Sequence, residues 1–351
     1  MKKTLSIAIL ASAVFLFSGC ALPSTTKLSN GPMANATVLK TIDGAVTWQP
    51  KIKIDATKTI AGVDVLSMAI DPTDSNVIYL GTQANGLFVS KDGAETWTQS
   101  AFPEKVYGLV FDPSNHEVMY ASGVFSGRAK IFKRLNEGEQ WKEIYTEPAD
   151  GTVISALAID AVNSQILFAG TSEGVIVKTT DGGTTWTNLK KAEGPVTGIV
   201  FDRASDNHIF FLVFQLALLE TKDGGKTLEN ITPKIDATHR TTSVYSLLAD
   251  PNAGGIFYVG TGSGIFRKNG AGDLWSQVNT IESSRAFAIR AIAINPANSK
   301  EIIYASSQAI YKSSDGGNTW ATFQLDTAKE ISVLKYDKSD VAKIYAGLRK
   351  F

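Results

Sequence analysis

The sequence contains few of the residues that proteins use to bind metal ions or to form disulfides. It has one cysteine and three histidines in 351 residues. The histidines, His116, His208 and His239, lie far apart, and with a single cysteine they form none of the spacings typical of zinc sites. These counts exclude an internal disulfide, and they predict that the protein uses no metal ion and no other cofactor.

An excess of charge of either sign is also missing. Lys and Arg together number 34, and so do Asp and Glu. No global electrostatic field therefore favours nucleic acid or acidic substrates. Hydrophobic residues make up 44% of the chain, which is typical of a folded globular protein rather than a disordered one.

The apolar runs are short, and the first of them indicates export. Lys2 and Lys3 precede the apolar stretch Leu5–Phe17, which is too short for a comfortable transmembrane helix. The sequence that closes this stretch, FSGC, resembles the bacterial lipobox, whose cysteine is lipidated and becomes the first residue of the mature chain. A phenylalanine stands where leucine is commoner. We therefore predict a lipoprotein signal peptide over residues 1–19 and lipidation of Cys20.

The segment after Cys20 predicts a tether. Ala21–Ala36, ALPSTTKLSNGPMANA, is small and polar and is interrupted by Pro and Gly, so we expect a flexible linker over residues 20–36. Several acyl chains on one cysteine anchor a protein stably. The expected location is the bacterial cell envelope, either the periplasmic face of the outer membrane or the cell surface in a Gram-negative host.

One octapeptide recurs along the rest of the chain. All six tryptophans close a copy of it, and a leucine closes a seventh. The copies are TIDGAVTW, SKDGAETW, RLNEGEQW, TTDGGTTW, TKDGGKTL, KNGAGDLW and SSDGGNTW, which close at positions 48, 97, 141, 186, 228, 275 and 320. A period near 45 residues with strand-like content is typical of β-propeller blades.

Each repeat also contains strand signals. An apolar run that ends in Asp or Asn, such as Val153–Asp160, is followed by a second run, such as Ile166–Thr171, and by a third that leads into the octapeptide. With the strand after the octapeptide, each repeat predicts four short strands, which make one blade. The apolar run Ile209–Leu219 is too short to span a membrane and falls where two of these strands belong.

The two ends of the chain complement one another. The first copy follows a single strand near Val38–Lys40, and the chain ends with two strand signals, Ile331–Asp337 and Ile344–Leu348. Pairing these halves removes two exposed sheet edges. We therefore predict an all-β fold over residues 37–351: a monomeric seven-bladed β-propeller of four-stranded antiparallel blades, with the last blade closed by both termini.

The octapeptides resemble the Asp-box, or BNR, repeat family. Their aspartates can accept hydrogen bonds from backbone N–H groups that follow, their glycines can adopt positive φ, and the tryptophan offers an apolar face for packing between blades. This chemistry predicts structural turns rather than active sites, with adventitious calcium as the alternative. The structural Asp-box residues are Asp43, Asp92, Asp181, Asp223 and Asp315.

The Asp-boxes direct the search for function to the opposite face of the disc. The turns after the first and third strands of each blade share one face, so the other face carries the connections between blades. A long insert there exposes Phe125 and Arg128. Near the starts of blades five and six we expect a basic patch that binds a carboxylate or an acidic protein surface, because arginine suits bidentate contacts. The alternative is that these arginines are scattered and solvated. The residues of the patch are His239, Arg240, Arg285 and Arg290.

A repeated pentapeptide, KIDAT, places Asp55 and Asp236 in two loops nearly opposite across the ring. A pair of catalytic carboxylates needs a separation of several ångström, which a ring of this width does not favour. We interpret the pentapeptides as shared loop chemistry.

Two classes of function remain. Sialidases and xyloglucanase-type glycoside hydrolases have Asp-boxes, but sialidases pair a tyrosine with a glutamate, and Tyr107 and Tyr245 lack an evident glutamate partner. Xyloglucanases place their acids between two propellers. A lone seven-bladed ring behind an export signal resembles the photosystem II stability/assembly factor family. That resemblance implies a non-catalytic scaffold that binds a protein, or a glycan, and we favour it over a glycosidase.

Overall fold

The computed structural model describes residues 33–100, 102, 104–136, 140–235, 243–270, 274–281 and 288–351. In these residues it forms seven four-stranded antiparallel sheets. Helical structure is limited to a 3-10 turn at Met33–Asn35 and to α1, Thr232–Ile235. No helix in these ranges is long and apolar enough to cross a membrane.

The strands follow one another from the inside of each blade to its outside. Blade 1 contains β3 (Val65–Ile70), β4 (Ile78–Thr82), β5 (Leu87–Ser90) and β6 (Thr98–Ser100). Blade 2 contains β7 (Lys105–Phe111), β8 (Met119–Phe125), β9 (Arg128–Arg134) and β10 (Lys142–Thr146). Blade 3 contains β11 (Ile154–Ile159), β12 (Leu167–Thr171), β13 (Val175–Thr179) and β14 (Thr187–Lys191).

Blades 4 to 6 repeat this order. Blade 4 contains β15 (Val196–Asp202), β16 (Ser205–Val213), β17 (Ala217–Thr221) and β18 (Glu229–Asn230). Blade 5 contains β19 (Val244–Ala249), β20 (Phe257–Thr261), β21 (Gly264–Lys268) and β22 (Trp275–Val278). Blade 6 contains β23 (Ile289–Asn295), β24 (Asn298–Ser306), β25 (Ala309–Ser313) and β26 (Ala321–Gln324).

Blade 7 combines the two ends of the chain. Its strands are β27 (Glu330–Tyr336), β28 (Ile344–Arg349), β1 (Val38–Thr41) and β2 (Gln49–Pro50). Antiparallel pairing of β1 with β28 sets Val38 opposite Gly347 and Thr41 opposite Ile344. The inner strands β3, β7, β11, β15, β19, β23 and β27 contact one another in sequence, and β27 contacts β3. The predicted seven-bladed propeller, closed by both termini, is confirmed.

The Asp-boxes form a constant hydrogen-bonded turn between the third and fourth strands. In blade 6 Asp315 Oδ1 accepts hydrogen bonds from Ser313 Oγ at 2.8 Å and Thr319 N at 2.9 Å, and its Oδ2 accepts one from Thr319 Oγ1 at 2.7 Å. These bonds lower the pKa of Asp315 to about 2. Equivalent bonds form at Asp43, Asp92, Asp181 and Asp223.

The tryptophan that closes six of the seven boxes packs against the preceding blade. The buried Trp97 of blade 1 lies among Ile52, Val38 and Tyr345 of blade 7 and donates a hydrogen bond from Nε1 to Lys51 O at 3.0 Å. Trp320 of blade 6 likewise donates to Asn279 O, just beyond the outer strand of blade 5. The boxes therefore join neighbouring blades as well as neighbouring strands.

A lysine immediately before the box makes a further link that the sequence analysis missed. It donates from Nζ to the carbonyl oxygen of a box glycine in the next blade. The four pairs are Lys40 with Gly93 at 2.7 Å, Lys133 with Gly182 at 3.4 Å, Lys178 with Gly224 at 3.0 Å and Lys312 with Gly44 at 2.8 Å. We call these contacts the lysine clasps.

Blades 4 and 5 are joined by a different polar contact. Glu220 occupies the clasp position of blade 4 and accepts a hydrogen bond at 2.7 Å from His208, whose other ring nitrogen lies 2.7 Å from Asp202. Asp202 also accepts a hydrogen bond from the backbone N–H of Gly255 in blade 5 at 2.8 Å. His208, which the sequence analysis left unassigned, therefore stabilises a junction between blades.

Candidate functional site at the channel mouth

The strand order assigns two different faces to the disc. Every inner strand runs towards the face that carries the Asp-boxes, which we call the box face. Every inner strand starts at the opposite face, which we call the rim face. The hairpins between second and third strands also lie on the rim face. The C-terminal end of β28 emerges on the rim face beside the starts of the inner strands.

A β-bulge near the start of every inner strand determines which side chains lie around the channel there. In each blade the pairing register between the inner strand and the second strand shifts by one residue near the start of the inner strand. The seven bulge residues are Leu66, Tyr107, Ser155, Thr197, Tyr245, Arg290 and Ser332. Bulges commonly re-aim side chains next to functional sites. Three of the seven here are large and polar.

Arg290 lies at the centre of a cluster of charged and aromatic side chains. Its Nε donates to Glu330 Oε2 at 3.0 Å. Its guanidinium lies 5.2 Å from the ring centre of Tyr245 and 4.0 Å from that of Phe351. The cluster thus joins blades 5, 6 and 7, which are distant in sequence.

Arg349 completes this cluster from β28. Its guanidinium lies 3.9 Å from the ring centre of Phe351, so that Phe351 contacts two cationic side chains. Burial and the neighbouring charge of Arg290 lower the pKa of Arg349. Arg349 Nε is buried without a hydrogen-bond partner.

Two further aromatic side chains extend the cluster around the mouth. Tyr245 packs edge-on against Phe214 of blade 4 at 5.8 Å. Tyr107 of blade 2 lies near Arg349. Burial raises the pKa of Tyr107, and the positive charge of Arg349 opposes that rise. We call the whole set the mouth cluster; it consists of Tyr107, Phe214, Tyr245, Arg290, Glu330, Arg349 and Phe351.

Carboxylates near the mouth cluster already have partners. Glu330 pairs with Arg290, and Asp64 forms a salt bridge with the buried Lys329 at 3.1 Å while accepting a hydrogen bond from Lys350 N at 3.0 Å. Burial lowers the pKa of Lys329, whereas its contact with Asp64 opposes that shift. With two arginines and one glutamate, the mouth cluster carries a net positive charge.

Phe125 and Arg128 lie elsewhere on the same face. The predicted insert is an extension of the β8–β9 hairpin, and Ser126 and Gly127 turn it with φ of 51° and 77°. Phe125 is 51% exposed. Arg128 forms a salt bridge with Asp150 at 3.1 Å and donates to Pro148 O at 2.8 Å. Among the described residues, Arg128 and Arg290 have no contacting residue in common.

The other predicted candidates divide into two groups. Cys20, Asp236, His239, Arg240 and Arg285 lie outside the described residues. Asp55 is exposed and accepts hydrogen bonds at 2.8 Å from the backbone N–H groups of Thr57 and Lys58, which lower its pKa. A carboxylate held ionised in its own turn is poorly suited to act as a general acid.

The sequence analysis found Arg290 but missed Arg349, Glu330 and Phe351 as its neighbours. Tyr107 and Tyr245 had been considered only as sialidase nucleophiles. Alignment of the seven repeats at the bulge position would have revealed that both tyrosines and Arg290 are equivalent. No motif places Arg349 there; it reaches the cluster because the β27–β28 pairing sets it opposite Glu330, which accepts a hydrogen bond from Arg290.

Comparisons with known proteins support the same architecture. Residues 190–341 match the family model of the photosystem II assembly factor YCF48, described as "Photosynthesis system II assembly factor YCF48". A xyloglucanase from Paenibacillus sp. is 24% identical over 329 residues, which cover 80% of this chain and 29% of the xyloglucanase. The chain thus spans less than a third of that relative's length.

Two solved structures share the fold. The GH74 xyloglucanase from Xanthomonas campestris superposes with a TM-score of 0.68 at 16% identity, over 81% of this chain and 51% of the xyloglucanase. A structure described as YCF48 bound to D1 peptide superposes with a TM-score of 0.61 at 15% identity, over 85% of this chain and 96% of that one. The chain is therefore a seven-bladed Asp-box propeller that resembles both the YCF48 assembly factors and the propellers of GH74 xyloglucanases.

Proposed function

We propose that this protein is a lipid-anchored scaffold of the bacterial cell envelope that binds a protein partner through the rim face. The mouth cluster is the observation that carries the proposal. It presents two arginines and several aromatic rings around the channel mouth, with Glu330 as its one carboxylate in the described residues. Arginine and aromatic side chains are the residues that most often dominate protein interfaces.

The chemistry of the mouth cluster specifies the partner segment. Guanidinium groups bind carboxylates with paired hydrogen bonds, and the mouth cluster contains two of them, those of Arg290 and Arg349. Phe351 is 52% exposed and offers an apolar surface between the two arginines. The segment that fits carries a carboxylate next to an apolar side chain. The YCF48 structure with a bound D1 peptide is consistent with peptide binding by a ring of this kind.

Affinity capture from the native membrane, followed by binding measurements with the captured protein, tests this proposal. We expect the double variant Arg290→Ala/Arg349→Ala to bind the partner at least about tenfold more weakly, because each lost charged contact costs about 1.5–3 kcal/mol. Arg203→Ala is the matched control, since Arg203 is an exposed arginine on the box face. Equal binding by the double variant and the control would show that the partner does not use the mouth cluster.

Glycoside hydrolysis is the second candidate, favoured by the likeness to xyloglucanases. Turnover of a xyloglucan and sialoside panel would support it, provided that the activity depends on a carboxylate of this chain. Asp55→Asn and Asp236→Asn test the two acids of the repeated pentapeptide. Unchanged partner binding together with such turnover would favour a hydrolase over a scaffold.

A further inference from the structure

A second feature of the ring lies inside the channel rather than at its mouth. The inner strands of blades 5, 6 and 7 line a cavity of about 300 Å³, and those of blades 1, 2 and 7 line another of about 450 Å³. Both cavities are lined by Lys335, Tyr336 and Lys338. Volumes of this size are typical of small-molecule sites.

Lys335 has no equivalent in the other inner strands. Cross-strand pairing places it opposite Tyr345. Each of the other six inner strands has an apolar residue at the position equivalent to Lys335. These residues are Ala69, Val110, Ala158, Val200, Leu248 and Ala293. Six positions at this level of the channel are thus apolar, and the seventh is an ammonium group.

Lys335 has no partner for its ammonium group in the part of the chain that the structure describes. Among the described residues its Nζ makes no hydrogen bond and no salt bridge, although water reaches the side chain. Burial within the ring and the nearby charge of Lys338 lower its pKa. Because the Lys335 side chain is exposed and lines the cavity between blades 5, 6 and 7, an anion that enters that cavity can pair with it.

The carboxylates at the box-face end of the channel do not supply that anion. Asp337 accepts hydrogen bonds from Ser339 N and Oγ at 2.8 and 2.7 Å, and Asp71 accepts equivalent bonds from Thr73 at 2.8 Å. Asp112 is bound in the same way by Ser114. Each of these carboxylates is held in its own turn, and none forms a salt bridge with Lys335. Because they and Asp74 line the cavity between blades 1, 2 and 7, the cavity between blades 5, 6 and 7, which has no acidic lining residue, is the one suited to an anion.

We propose that the central channel binds a small organic acid, whose carboxylate pairs with Lys335 while its apolar body contacts the inner strands. Ala69 of blade 1, on the neighbouring inner strand, leaves room beside Lys335, and Leu334, Ile292 and Leu248 line the adjoining cavity. Arg290 also lines this cavity, so the site adjoins the mouth cluster, but Lys335 lies outside that cluster and the ligand is a small molecule rather than a protein segment. It does not depend on the scaffold function.

The experiment uses the full chain in detergent, with its lysines dimethylated by ¹³C-formaldehyde so that they keep their charge. NMR spectra are recorded during titration with butyrate, with neutral butyramide, and separately with inorganic phosphate and sulfate. The Lys335→Arg variant assigns the signal of Lys335. We expect butyrate to shift this signal saturably and butyramide to leave it unchanged.

The variants test the same pairing by calorimetry. We expect Lys335→Met to weaken butyrate binding at least about tenfold, because it removes the charged partner. Lys190→Met, which removes an exposed lysine on β14, should bind as the unmodified chain does. Lys335→Ala should retain the unfolding midpoint, since alanine occupies the equivalent position in blades 1, 3 and 6.

Three results would overturn the assignment. These are the absence of saturable butyrate binding to the wild-type chain, equal affinity in Lys335→Met, and binding of phosphate or sulfate at least as tight as that of butyrate. Loss of channel binding in Lys335→Met with intact partner capture would separate this site from the mouth cluster. Loss of partner capture in Arg349→Ala with intact butyrate binding would separate them in the other direction, since Arg349 does not line the cavity between blades 5, 6 and 7.

Discussion

At the residue scale, the Asp-box carboxylate is a turn acceptor. Its hydrogen bonds come from the hydroxyl two residues before it and from the residues three and four after it. Gly316 and Gly317 have φ of 79° and 94°, which glycine adopts without strain. Alanines occupy the second of these positions in blades 7 and 1 with φ of 73° and 71°. The hydrogen bonds of the aspartate therefore hold the turn even where its backbone is less favourable.

The same hydrogen bonds predict how stability depends on pH. Asp315 has a pKa of about 2 in the folded protein, below the value of 3.8 expected for a free carboxyl, so it stabilises the fold above that value. This contribution is lost as the pH falls from about 4 to about 2. We expect the Asp315→Asn variant to lose less stability over this range than the wild-type chain does.

Denaturant unfolding at several pH values measures that dependence. Asp55→Asn is a useful comparison, since Asp55 is also exposed and hydrogen-bonded but lies in a loop outside the boxes. Parallel pH profiles for Asp315→Asn and wild type would contradict a role for the Asp315 carboxylate in the fold.

At the scale of elements, contacts between blades come from side chains at fixed positions of the repeat. The box aromatic packs backwards onto the preceding blade, whereas the lysine clasp reaches forwards to the following one. Serines near the start of the inner strands add a third contact, as when Ser155 Oγ donates to Val196 O at 2.7 Å. Each sheet is therefore held on both of its faces.

A single clasp has a predictable effect on stability. Lys178 Nζ donates to Gly224 O and lies 5.1 Å from the ring centre of Phe168. We expect Lys178→Met to lower the free energy of unfolding by about 1–2 kcal/mol, since it removes one charged hydrogen bond and one cation–π contact. Chemical denaturation checks this value.

Lys142→Met provides the control for the clasp, because Lys142 is exposed on the outer strand β10. It should change stability by less than about 0.5 kcal/mol. Equal effects of the two substitutions would mean that the clasp contributes nothing beyond an ordinary surface lysine.

At the scale of the whole molecule, ring closure brings together residues from both ends of the chain. Leu348 N donates to Thr37 O at 3.0 Å, and Lys329 Nζ donates to Val63 O at 2.6 Å. These contacts lie on the rim face, beside the mouth cluster. The described chain therefore enters the ring, just before β1, on the same face as the mouth cluster.

The predicted lipidation of Cys20 gives a test on the intact protein. We expect the wild-type chain to sediment with the membrane fraction and Cys20→Ser to fail to do so, because the substitution removes the acylated thiol. Fractionation with mass spectrometry of the N-terminal peptide measures both properties. An unmodified Cys20 in the mature wild-type protein would show that the FSGC sequence is not a lipobox.

Sequence patterns were sufficient to predict most of the fold. The octapeptide period predicted seven blades, and the complementary strand signals at the two ends predicted how the last blade closes. Both are repeated local signals: Asp and Gly are required by a tight turn, and an apolar run by a strand between two packed sheets. The same repetition predicted the strands that Ile209–Leu219 forms.

The candidate sites depended on the tertiary structure. Arg349 and Phe351 belong to a C-terminal segment without a motif, and they lie beside Arg290 because β28 pairs with β27, which contacts the inner strand β23 that carries Arg290. In the sequence, Lys335 belongs to an ordinary strand signal. Only the strand pairing shows that it occupies a position that is apolar in the other six inner strands. The sequence by itself determined the blades, since each is built from local contacts. Which side chains meet at the channel was decided by the closed ring, because those contacts join residues that the chain keeps far apart.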